Sequence, residues 1–195
     1  GHGSPQAAQQ ICLEYLKDYG DDLPPSMLPP AACFEMLRGR LDKALERCTT
    51  GITQTRDVWC GLTGIVIAQR LGKFRERDIL LNQVIACGEV PKGTVHAQGD
   101  MIALAGLIKK ACANTKNPRL DVAECEKLFK VASSGELTNV RYFAGTFLVL
   151  TGQKEAGIKF LQAAATAPIN RVTRTLAVVT LREGKIKIGP TRDKE

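Results

Sequence analysis

The chain has 195 residues, 44% hydrophobic and 24% charged, with a formal net charge of +7. That composition excludes a disordered chain and suits one globular domain with a core of its own. Aromatics make up only 5%, which favours helices packed through small side chains over a β-sandwich. Gly1 to Ser4 read as a tag remnant and are set aside, leaving His96 as the one native histidine. The native chain can therefore extend beyond this sequence, and the reading is of one domain over 5–184 with a basic, mobile tail over 185–195.

Helical periodicity begins at once. "QAAQQICLEYLKDY" (6–19) puts Ile11, Tyr15 and Leu16 on one face and stops at Gly20. "DDLPPSMLPP" (21–30) is a loop with two Pro-Pro pairs. "AACFEMLRG" is a short helix with Pro29 and Pro30 at its start. Gly39 follows, then an amphipathic run through Leu41, Ala44, Leu45 and Cys48. A helix over 57–71 reaches Gly72, and a second apolar run leads from Phe74 to Ile85. Two further helices span 99–113 and 120–134, around an "NTKNP" turn at 114–118. Gly152 separates "FLVL" from "KEAGIKFLQAAATAP", and a last helix covers 169–184.

Each glycine closes one helix and opens the next. Glycine adopts the left-handed conformation of a helix end without steric cost. The intervals are 33 residues from Gly39 to Gly72, 80 to Gly152 and 32 to Gly184. The long interval holds two periods, with "NTKNP" at the missing turn. A repeat of this length predicts an array of helical hairpins that bury their apolar faces by stacking.

These residues resemble tetratricopeptide repeats, hairpins of about 34 residues with small residues where the helices cross. The match is best in 142–168: Gly145, Leu148 (an aromatic in the family), Gly152, Gly157 (alanine in the family), Leu161, Ala164 and Pro168. A second unit offers Ala68, Gly72, Phe74 and Leu81, but has Arg77 where the family has a small residue. The resemblance implies an all-α, right-handed superhelix of about four antiparallel hairpins plus a C-terminal capping helix. It also implies a non-catalytic scaffold or adaptor that holds a partner peptide or helix in a concave groove.

Chemistry-bearing patterns are sparse. Seven cysteines occur without a Cys-x-x-Cys pair, which reads as buried, reduced thiols in a cytoplasmic or other reducing compartment. His96 has only Asp100 at helical spacing, too few ligands for a metal. "SSGE" (133–136) shows no paired base and reads as a helix end. Trp59 reads as a packing anchor between hairpins. No catalytic residue, cofactor or metal is expected, and no apolar run is long enough to span a membrane.

The candidate partner-binding residues are cations. Arg70, Lys73 and Arg75 surround the Gly72 turn, and Arg141, Arg171 and Arg174 fall on first helices of hairpins. They suit an acidic protein segment, since guanidinium forks match carboxylates. The alternative is a nucleic acid on the same basic surface. Against it stands the lack of aromatic platforms for single strands.

Overall fold

A computed structural model describes residues 23–89, 98–113, 118–167 and 171–183. It is all-helical there: 84% of the described residues are helical and no strand is present among them. After a short 3-10 turn at Pro25–Met27 come α1 (Leu28–Leu37), α2 (Leu41–Thr55), α3 (Val58–Leu71), α4 (Phe74–Cys87) and α5 (Gly99–Ala113). Then follow α6 (Val122–Val131), α7 (Ser134–Leu150), α8 (Lys154–Ala165) and α9 (Arg171–Glu183). The helix read over 6–19, the centre of the "NTKNP" turn, His96, Gly184 and the basic tail lie outside the described residues.

Local chemistry explains the boundaries. Pro29 and Pro30 stand in the first turn of α1, where a missing N–H costs nothing. Gly39, Gly72 and Gly152 close α1, α3 and α7 with φ of 73°, 72° and 87°. Asp57 caps α3 by accepting from the Cys60 N–H, and Asp121 caps α6 by accepting from Ala123 and Glu124. α2 runs one full turn and more beyond Cys48, through a threonine-rich stretch. There Thr49, Thr50 and Thr55 donate their hydroxyls to carbonyls four residues back, so the side chains no longer compete with the helix.

Arg56, after α2, is the one described non-glycine residue with positive φ, at 55°. Its guanidinium donates to the Ala86 carbonyl at 2.7 Å and its own carbonyl accepts from the Cys87 thiol at 3.6 Å. The left-handed conformation is therefore held from the next helix pair.

α1 packs on α2, α3 on α4 and α7 on α8, each across its glycine turn. The tightest of these crossings is α7 on α8. A methyl added at Gly157 would sit 2.7 Å from the Gly145 carbonyl oxygen and 2.9 Å from the Val149 nitrogen. Only hydrogen fits at both glycines, so the two backbones touch. Arg77, the departure from the small-residue pattern, is buried in α4. Its guanidinium donates to Gln69 of α3 at 2.7 Å and to Asp78, and lies 5.2 Å from the Phe74 ring centroid. A charge is tolerated at this position because every face of it has a partner.

Buried residues from Ala32 to Ala177 form one continuous core. α3 and α7 lie at its centre and are buried along nearly their whole length. They pack on each other directly, with Trp59 edge-to-face against Phe143 at 6.0 Å. Trp59 thus anchors two pairs that are not neighbours in the chain.

Candidate interaction site

Side-chain hydrogen bonds between helix pairs have a common reach in sequence. Many of them join positions 30 to 40 apart. At one end of the fold they tie the starts of α3, α5, α7 and α9 together. The Val58 N–H donates to the side chain of Gln98, just before α5. Met101 N–H donates to Glu136 of α7, and Ser133 N–H returns a bond to Asp100 of α5. Thr173 of α9 donates to Asn139 of α7 at 2.6 Å. Carboxylates at this end are consumed in holding free backbone N–H groups of helix starts.

The other end is different. The last turns of α1, α3, α7 and α9 meet around a cavity of about 40 Å³, room for no more than a few waters. Met36, Val66, Ile67 and Leu150 give it apolar walls. Arg70, Tyr142, Thr146 and Thr180 supply its polar groups. Burial pushes the Tyr142 hydroxyl well above the usual phenol range, while Thr180, Thr146 and the Arg70 charge act in the opposite sense. Such groups can bind and orient a ligand; none of them is a base at neutral pH.

Contacts also link successive helix-pair turns. Lys73, at the Gly72 turn, pairs with Asp42 of α2 at 2.7 Å. Cys112, near the end of α5, lies within the field of Arg77 and Asp78 in the first turns of α4. The Gln153 side chain, past the Gly152 turn, both accepts from the Leu120 N–H and donates to the Leu120 carbonyl, each at 2.9 Å.

The structure brings some of the sequence candidates together and separates others. Arg70, Lys73 and Arg75 all stand at the Gly72 turn. Arg70 is half-buried at the cavity, Lys73 is committed to Asp42, and Arg75 is exposed. Arg141 is apart from them: its guanidinium lies 5.8 Å from the ring centroid of Phe129 in α6. Arg171 and Arg174 belong to α9, but their side chains lie outside the described residues. Sequence reasoning missed Tyr142, Thr146 and Thr180. Their sole signal was a polar group at 142 and 146 in the otherwise apolar α7 and at 180 near the end of α9.

Cys33, Cys48, Cys60, Cys87 and Cys125 are buried and Cys112 is half-buried, none of them in a disulfide. Contact with the Cys60 thiol and burial together hold Cys48 well above the usual thiol range. Burial pushes Cys112 up to about 11 and Cys125 up to about 12. All three stay protonated and unreactive at neutral pH. No group of three His, Cys, Asp or Glu side chains able to hold a metal occurs among the described residues. No described helix is long and apolar enough to cross a membrane. No family model, curated protein or solved structure matches the chain.

Proposed function

We propose that this chain is a scaffold or adaptor, a tetratricopeptide-like right-handed superhelix that holds a segment of another protein against its first helices. The observation that carries this reading is the constant reach of the cross-pair hydrogen bonds, 30 to 40 residues. A repeat array places each residue beside its counterpart one period away, and such a reach is what that arrangement would give. Parallel first helices also account for α1, α3, α7 and α9 ending at one cavity. The cavity offers apolar walls, hydroxyls and one guanidinium, a lining suited to recognition. Because α3 and α7 pack on each other, the proposed segment would be held at the ends of the first helices rather than along a groove between them.

A peptide-display selection against the whole chain tests the reading. A scaffold enriches a consensus sequence, and the enriched peptide shifts backbone amide resonances of first helices. Failure to enrich any consensus, with binding to RNA of random sequence, would overturn it. The net charge of +7 favours the RNA outcome as the second reading. Phosphate binding weakens linearly in the logarithm of salt concentration, which separates the two cases.

A further inference from the structure

The cavity bordered by α1, α3, α7 and α9 is a slot with a buried floor and an open mouth. Tyr142 and Thr146 are buried, whereas Met36, Leu41, Arg70 and Thr180 are half-buried and reach solvent. Thr146, 8% exposed, carries a hydroxyl shielded from solvent and without a hydrogen-bond partner in the protein. Five other threonines turn back on their own helices: Thr49, Thr50, Thr55, Thr151 and Thr166 donate to carbonyls four residues back. Thr146 does not, although it stands inside α7, and its side chain lines the slot instead. A buried hydroxyl left this way costs stability unless a group from outside the chain completes it. Arg70 is the second such group. It makes no ion pair among the described residues, yet its charge is felt by Tyr142 in the floor. The carbonyls at the ends of α1, α3 and α7 are met by the N–H groups of Gly39, Gly72 and Gly152, which offsets part of the negative charge of those helix ends.

A guanidinium and three hydroxyls around one space are donors in search of an acceptor, and their common complement is an oxyanion. Size and charge narrow the class. A volume of about 40 Å³ admits about three atoms of the size of a water oxygen, at roughly 10–15 Å³ each. That is the size of a carboxyl group and too little for an aliphatic or aromatic side chain. Arg70 is the one cation in the lining. It balances the single charge of a carboxylate but not that of a phosphate group, about −1.5 to −2 at neutral pH. The walls of Met36, Val66, Ile67 and Leu150 lower the local dielectric, which strengthens a charge-assisted hydrogen bond. We propose that the slot binds one carboxylate group, paired with Arg70 and accepting hydrogen bonds from Thr146, Tyr142 and Thr180, while the rest of the ligand leaves through the mouth. A small organic acid and an acidic residue of a protein segment present the same group, so the site stands without the scaffold reading. Where both hold, the held segment supplies the carboxylate.

The test titrates sodium formate into the whole chain at constant ionic strength and follows the Arg70 Nε–H and the Thr146 amide by NMR. A saturable shift of both is expected, with a dissociation constant on the order of millimolar, the most that three heavy atoms give. Formamide has the same shape without the charge and is expected to bind at least about tenfold more weakly, as is inorganic phosphate. Arg70→Gln should abolish the shift of the Thr146 amide. Thr146→Val exchanges the hydroxyl for a methyl of the same shape. It should weaken formate about fivefold yet melt no lower than the parent chain, so it reads binding even where Arg70→Gln disturbs packing. Two tripeptides separate the sources: glutamate between two glycines, blocked at both ends, and three glycines with a free C-terminal carboxylate. Tighter binding of either than of formate assigns the group to a protein side chain or terminus; binding no tighter than formate assigns it to a small acid. No saturable shift with any carboxylate, an equal response to formamide, tighter binding of phosphate, or indifference to both substitutions overturns the proposal. If display-selected peptides bind while no carboxylate does, the site falls and the scaffold reading stands. If formate binds as expected while no consensus is enriched, the site stands and the scaffold reading falls.

Discussion

The pair α7/α8 and the pair α5/α6 occupy successive places in the chain but are built in opposite ways. α7 is buried on nearly every face and meets α8 through Gly145 and Gly157, backbone against backbone. α6 buries Cys125 alone. It leans on its neighbours through Phe129, which meets Phe160 of α8 edge-to-face at 4.8 Å and carries Arg141 on its face. Gly106 of α5 has no counterpart across a crossing; a methyl there meets nothing within 4 Å. One pair is therefore fixed by steric exclusion, the other by rings and a cation at its margin. Steric contacts tolerate no added atom, whereas peripheral contacts tolerate many.

The same substitution should have opposite signs in the two pairs. Gly157→Ala drives a methyl into the backbone of α7 and should destabilise the fold by about 2–3 kcal/mol in urea unfolding. A neutral result would mean that the backbones are not in contact. Gln153→Ala removes both bonds to buried Leu120 and unties the two pairs, at about 1–3 kcal/mol. The loss should show first as faster amide exchange in α6, leaving α7 protected. Gly106→Ala should stabilise by about 1 kcal/mol, since a helix gains from alanine where space is free. A loss there would reveal a neighbour over that face of α5.

Alkaline pH sharpens the comparison further. The Cys125 thiol is raised to about 12 in the folded chain, so the unfolded chain releases its proton first. The stability it contributes is whole below the ordinary thiol range and is lost as pH rises from about 9 towards 12. Exchange in α6 should therefore rise with pH above that of α7, once corrected for the intrinsic rate. The melting temperature should be unchanged between pH 7 and 8.

The turns were legible because glycine and proline carry local instructions. Gly39, Gly72 and Gly152 mark turns with positive φ, and Pro29 and Pro30 mark the start of α1. The close crossing at Gly145 and Gly157 was legible as small residues on two helices joined by the Gly152 turn. The threonine-rich end of α2 was not, because its threonines disfavour helix until their hydroxyls bond back to the chain. Nor was burial of Arg77, which depends on Gln69 from the preceding helix. The slot was hidden for a different reason. It is assembled from Met36, Arg70, Tyr142 and Thr180, residues that no period relates as a set. Periodicity shows which residues recur; it does not show which helices far apart in the chain border one cavity.

That meeting has a mechanical consequence. Met36 belongs to α1 and Thr180 to α9, yet both border one cavity. An open array of helices stretches like a spring, because each coil is held only by the next. Here α1 and α9 both pack on the central helices, α1 on α3 and α9 on α7, so pulling them apart must disturb that central wall first. Pulled between α1 and α9, the described helices should show one high first rupture and softer ones after it.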